Sequence, residues 1–451
     1  MGEGFQGRRF FSPMGLLAAA ILVFHSTCVF AQRPPTVPIN LNYFRIDFIQ
    51  PGARPAGLGG AFIGAAQDET AGLINPAGLI YIKRAGVSVH LRAFKLNGRF
   101  DSDQFLIAAF FPIKKITVGF FRQGLFNTRF NFETRQFLNI DSNLSPRQVL
   151  GGLGNFPGKS VALDLQLSKD RWSLAYKVSE RVRFGFTASN FTLDFKMMEQ
   201  TFLDPLVADG RAPRGNLAET NYSNTTLDHR DGLVWGYSFG LMATILRDKL
   251  FFGSVVDFNP NFTLESTIFL PEYRFGQQSL PAESPENTRF ILSIPDSYGF
   301  GLYYRANSRL NITFDIVRRE YSDLLSGNNL NAVEDDEFSD QKNTFTDPDG
   351  RPDLTVADAT EIHLGVERLF NVSKLGLIPL RFGVYTDPTH RIHAVENDPN
   401  LRTLYPQGKT RGFFTFGTGI VGSYYKYDIS TNVSADGWQL FFSATFTIPG
   451  Y

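Results

Sequence analysis

From about residue 86 the chain alternates apolar and polar positions with a period of two. Leu233, Trp235, Tyr237, Phe239, Leu241, Ala243 and Ile245 share one face, against Val234, Gly236, Ser238, Gly240, Met242 and Thr244 on the other. That period is the signature of β-strands with two unlike faces. It recurs in fourteen segments, roughly 86–94, 103–111, 115–123, 160–178, 182–195, 233–246, 249–258, 296–305, 309–320, 360–370, 376–386, 411–420, 423–430 and 437–448. The fourth is interrupted at Ser168-Lys169-Asp170. With Asp164, Lys169, Asp170 and Arg171 it is the least apolar, so it is expected to break or to leave the wall. Every second connection is tiny (Arg247-Asp248, Val421-Gly422), while the others include long polar stretches such as 124–159 and 321–359. An even strand count with alternating short and long connections predicts an all-β fold, a transmembrane antiparallel β-barrel of about fourteen strands. Closure would satisfy every backbone group in lipid. Tyr303, Tyr304, Tyr424, Tyr425 and Trp438 near segment ends suit interfacial girdles. A secreted β-rich binding protein is the soluble alternative.

Composition sharpens this picture. The 451 residues include 45 Phe and 16 Tyr, with 44 Lys+Arg against 44 Asp+Glu. Zero net charge excludes the basic excess that nucleic-acid binding requires. Residues 1–31 combine Arg8 and Arg9 with the apolar run Met14 to Phe24 and end Val29-Phe30-Ala31, which predicts a secretory signal peptide. Cleavage there removes Glu3, both arginines and Cys28, the one cysteine. It leaves 42 bases against 43 acids, a net charge of −1, and no disulfide. Beyond residue 31 no run of 18 apolar residues occurs, so no transmembrane helix is expected. The expected location is the outer membrane of a Gram-negative-type bacterium.

Residues 32–85 lack the period of two. A Pro-rich leader precedes Gly52 to Leu79, a stretch rich in Gly and Ala whose small side chains suit close backbone packing inside a barrel. Fourteen strands enclose more space than side chains fill, so this region is expected to plug the lumen, with the barrel spanning 86–451. Pro76 stiffens one point of it, and Asn75 can bond backbone on both sides of a turn.

Gly57-Leu58-Gly59-Gly60-Ala61, then Asp68-Glu69, then Asn75-Pro76-Ala77-Gly78-Leu79 resemble the N-terminal hatch of FadL-type long-chain fatty acid transporters and their aromatic-hydrocarbon relatives. Glu361 to Glu367, Pro379 to Asp387 and the final aromatic strand, Gly437 to Tyr451, are similar as well. The resemblance implies passive import of a hydrophobic molecule, a fatty acid or an aromatic compound. Long loops would capture it, an apolar pocket would hold it, and hatch movement would release it. It implies Gly59, Gly60, Asp68, Asn75, Pro76, Ala77 and Gly78 as hatch and pathway residues. Lipopolysaccharide and the barrel-assembly machinery are the expected surroundings, and a monomer is the expected state. Barrels assisting type IX secretion begin similarly, so a protein-docking or secretion accessory is the second reading within the class.

Arg92, His363, Glu367 and Arg381 project to the face opposite the apolar one and are candidate lumen contacts. Further chemistry is thin. His390 and His393 near Asp387 lack an evident third ligand, and Asp347-Pro348-Asp349-Gly350 misses EF-hand spacing. No nucleophile elbow or P-loop occurs. No metal, cofactor or enzymatic activity is expected.

Overall fold

Each period-two segment forms a strand, and the strands close on themselves. The structure, a computed structural model, describes residues 48, 50–96, 99–134, 158–202, 221–229, 233–247, 249–269, 273–275, 278–280, 286–325, 354–372, 376–395 and 406–449. The signal-peptide segment and the leader of the 32–85 region lie outside the described residues.

The wall begins with β1 (Gly86–Leu96), β2 (Arg99–Ile113), β3 (Ile116–Thr134), β4 (Gly158–Lys177) and β5 (Val182–Phe202). Three strands in two pieces follow: β6 (Asn221–His229 and Val234–Leu246), β7 (Leu250–Phe258 and Asn261–Phe269) and β8 (Glu286–Ser293 and Ser297–Arg305). It is completed by β9 (Leu310–Arg319), β10 (Ala359–Val372), β11 (Gly376–Asp387), β12 (Arg411–Val421), β13 (Tyr425–Ser434) and β14 (Gly437–Thr447). Neighbours in sequence pair antiparallel throughout, and β14 pairs with β1 from Gly86↔Thr447 to Leu96↔Gly437. The seventeen hydrogen-bonded pieces are therefore one closed barrel of fourteen strands. Closure leaves no edge, which a wall in lipid requires. Among the described residues no helix is long and apolar enough to cross a membrane.

The alternation sorts side chains as the sequence indicates. On β6 Trp235, Tyr237 and Phe239 stand exposed, while Ser238 and Met242 are buried. Ile362 and Leu364 on β10, and Phe414 and Phe416 on β12, face outward in the same way. The exposed apolar side chains form the surface that a bilayer covers.

One expectation is corrected. β4 neither breaks nor leaves the wall, pairing without interruption to β5 from Gly158↔Phe202 to Lys177↔Arg183. The irregularity sits on its other neighbour, a bulge in β3 between Gly124 and Phe126. The charges that suggested a break are accommodated by face. Arg171 turns inward and is buried, and outward Asp170 lies 3.7 Å from Arg122 across the strand pair. Apart from the gap in β6, the interruptions are in β7 and β8, at Asn259-Pro260 and Ile294-Pro295-Asp296. Proline cannot donate to a ladder, and the gap is bridged otherwise: Ile294 N–H donates to the Pro260 carbonyl at 3.1 Å, and Asn259 N–H to Asp296 Oδ1 at 2.7 Å.

Candidate functional site

Residues 50–85 lie against the inward face of the wall. Their regular elements are short: α1 (Ala53–Gly57), α2 (Ala71–Ile74) and a 3-10 helix over Pro76–Tyr81. Asn75 caps the 3-10 helix by accepting from Ala77 N–H at 3.2 Å, with Pro76 at the first position, where its missing donor costs nothing. The Asn75 amide donates to the Ile63 carbonyl at 3.1 Å and to the Leu241 carbonyl on β6 at 3.2 Å. Ala53, Ala56, Leu58, Ala61, Phe62, Ala77 and Leu79 are almost wholly buried.

Small residues permit the close approach. A Cβ at Gly78 would overlap the Ala66 carbonyl oxygen, and one at Gly185 on β5 would overlap the Pro76–Ala77 backbone. Gly59 and Gly60 have φ of 64° and 76°, and Gly59 lies against the backbone of Val384 and Leu364. Only glycine takes that conformation freely.

Wall side chains hold this stretch by its backbone. The Asp315 carboxylate on β9 accepts from the N–H groups of Phe62 and Ile63, at 2.5 and 2.7 Å. On β10, His363 Nδ1 is 2.7 Å from the Gly59 carbonyl and its Nε2 is 3.1 Å from Glu361. The Ser443 hydroxyl accepts from Ala53 N–H at 2.8 Å, and Arg171 donates to the Leu73 carbonyl at 2.9 Å.

Below these contacts lies a chain of buried charges. Arg54 reaches Asp68 at 3.0 Å and Glu367 at 3.3 Å. Glu367 also takes Arg381 at 2.8 Å and the Asn311 amide at 3.0 Å, and Arg381 reaches on to Asp428 at 2.6 Å. Lys426 closes the network at 3.2 Å from Asp68 and 2.6 Å from Glu69. Burial works against the Asp68 charge, but the Lys426 ammonium and the Arg54 guanidinium outweigh it and hold this carboxyl well below the usual range. Glu69 moves the other way, because its own burial outweighs Lys426 and the Asp68 charge pushes it further up. Of these two neighbouring acids, Glu69 takes a proton before Asp68.

Two cavities lie between residues 50–85 and the wall. One, of about 720 Å³, opens among the short turns and is lined by Arg54, Asp68, Tyr303, Arg305, Glu367 and Lys426. The other, of about 120 Å³, lies towards the long connections, where Ile63, Leu73, Ile74, Leu167, Phe191 and Val255 supply apolar walls. Two cations at its edge are matched: Arg171 with Asp257 at 3.9 Å and Arg319 with Glu361 at 2.6 Å. Lys169 is different. Its ammonium stands 5.6 Å from the Phe191 ring, and among the described residues it makes no hydrogen bond or ion pair.

The sequence candidates therefore fall into separate places. Glu367, Arg381 and Asp68 share the ion network, His363 and Gly59 share one contact, and Gly60 lines the smaller cavity with His363. Arg92 is buried on β1 with its guanidinium 4.4 Å over the Phe94 ring, outside that network. His390 stacks on Tyr321 at 4.4 Å and lies 3.3 Å from Asp387, which also pairs with Arg411. The Asp347 to Gly350 stretch is outside the described residues. Sequence reasoning did not single out Arg54, Asp315, Lys426 or Asp428. Their signal is a charge on the polar face of an otherwise apolar-and-small strand or segment.

A closed fourteen-stranded barrel with an apolar exterior and a chain segment against its inner face defines a class of outer-membrane proteins. Solved structures place the fold within it: the chain has the architecture of FadL-type outer-membrane transporters. A Pseudomonas aeruginosa FadL homologue aligns at a TM-score of 0.53 with 14% identity, over 88% of this chain and 98% of its own. The CymD monoaromatic hydrocarbon channel aligns at 0.51 and 14%, covering 88% and 97%. The Ralstonia pickettii toluene transporter TbuX gives 0.51 and 14%, covering 88% and 98%. No family model matches the sequence, and no curated protein matches it.

Proposed function

We propose that this barrel imports a hydrophobic molecule bearing an anionic head, such as a long-chain fatty acid, across the outer membrane. Residues 32–85 act as its hatch. The observation that carries the reading is Lys169, a cation at the rim of an apolar cavity that forms no ion pair within 4 Å with a described residue. An unmatched ammonium beside Phe191 is costly in the empty site and favourable once a carboxylate arrives. The neighbouring Arg319 and Arg171 are already engaged by acids, so Lys169 is the group available for that role. The apolar walls take the first part of the tail. Fold likeness to a toluene transporter and a monoaromatic hydrocarbon channel supports a hydrophobic cargo.

Net passage requires residues 50–85 to shift, because they occupy the lumen between the two cavities. The ion network gives that shift a defined barrier. The test is uptake of radiolabelled oleate by a Gram-negative host lacking its own fatty-acid transporter, together with binding to the purified barrel in detergent. Oleate uptake above the empty-vector host is expected. Lys169→Met is expected to weaken oleate binding about tenfold or more, the worth of one charge-assisted hydrogen bond, while leaving toluene binding unchanged. Equal loss of both ligands, or toluene binding with no oleate binding, overturns the anionic head. Binding of neither overturns import of these molecules.

A further inference from the structure

The short-turn end of the barrel carries a collar of exposed cations. The β2–β3 turn supplies Lys114 and Lys115, and the β4–β5 turn supplies Arg181. The β6–β7 turn supplies Arg247 and Lys249, and the β8–β9 turn supplies Arg309. Lys83 and Arg84, just before β1, lie at the same end, with Arg84 5.0 Å over the Tyr424 ring of the β12–β13 turn. Among the described residues of these turns the one acid is Glu180, and Lys177 already neutralises it at 2.6 Å. Asp248 and Lys374 complete the turns in sequence and cancel each other. In sequence, the connection spanning residues 320–358 is opposite in sign, with eleven acids and two bases.

The collar is also placed at a particular depth. Exposed, outward-facing Ile113, Ile116, Val178, Ile245 and Val372 bring the apolar exterior right up to the turns. Cations standing where an apolar belt ends sit at headgroup level, where long basic side chains reach phosphates while their stems stay in the apolar layer. We propose that this collar binds the phosphates of anionic phospholipids in the leaflet at the short-turn end, and that it fixes the barrel's depth and direction in the membrane. Charge complementarity and the adjoining apolar belt favour a lipid partner over a soluble one. A protein-docking face would be expected to stand clear of the apolar surface.

The test uses the full-length folded barrel and two kinds of vesicle, pure phosphatidylcholine and phosphatidylcholine with about a third phosphatidylglycerol. After extraction, the lipid retained per barrel is counted by native mass spectrometry. A variant carrying Lys114→Gln, Lys115→Gln, Arg181→Gln, Lys249→Gln and Arg309→Gln is compared, with its heat-shifted gel mobility reporting that it is folded. Retention of phosphatidylglycerol over phosphatidylcholine is expected. It should fall about fivefold or more in the variant and weaken as salt is raised. Equal retention of both lipids, or retention unchanged by the five substitutions, overturns the proposal. So does tight capture of a polyglutamate probe by a barrel without lipid preference, which would point to an acidic protein. No transported ligand enters the experiment, so its outcome is independent of the cargo.

Discussion

Replacing Gly78 by valine is expected to drive residues 50–85 out of their seat. A Cβ at this position overlaps the Ala66 carbonyl oxygen, a backbone atom that cannot rotate away. Added branches would then strike the turn that Asn75 and Pro76 build against β5 and β6. Overpacking normally costs about 1–3 kcal/mol, and more where the obstruction is backbone. Here the segment has an escape that a core lacks, because it can leave the lumen while the wall stays closed. The expected phenotype is a folded barrel, still heat-shifted on gels, that admits large hydrophilic antibiotics the wild type excludes. Gly412→Ala is the matched control, since nothing lies within 4 Å of a Cβ there. A Gly78→Val strain with wild-type resistance would show that the segment does not close the lumen.

The second large effect is expected at Arg381. Its guanidinium is buried and bridges Glu367 and Asp428, at 2.8 and 2.6 Å. Arg381→Leu leaves two buried carboxylates short of a partner, a loss of about 3–5 kcal/mol. The gel temperature at which compact mobility disappears should fall clearly. Arg381→Lys should recover only part of it, because a point charge cannot fork between two acids. Removing Glu367 along with Arg381 should cost less than the two single losses added together, since each single change strands the other's charge. An unchanged unfolding temperature for Arg381→Leu would mean that the network contributes no stability.

The wall was legible in the sequence because its two rules are local. Alternation needs only adjacent residues, as along Leu233 to Ile245, and the short-long rhythm needs only turn lengths. The misreading of β4 shows the limit of that approach. Asp170 and Arg171 look like one charged interruption until the pleat puts them on opposite faces, the first beside Arg122 and the second against the Leu73 carbonyl. The inner contacts were not legible at all. Arg54 and Glu367 are 313 positions apart, and Phe62 and Asp315 are 253 apart, so no spacing rule links them. Lys169 drew notice only as an offence against a strand. What makes it a candidate for binding is its place at an apolar cavity with no ion pair to a described residue, which only a folded structure displays.

The Asp315 contact also bears on how the protein is made. Phe62 and Ile63 give their N–H groups to a side chain of the wall, not to a ladder or a helix of their own. With helices of only five and four residues nearby, the stretch 50–85 has nothing with which to nucleate structure alone. Its shape is borrowed from fourteen strands that follow it in the chain. Residues 50–85, which precede the whole wall in the chain, are therefore expected to take their conformation only after the strands they lean on have paired.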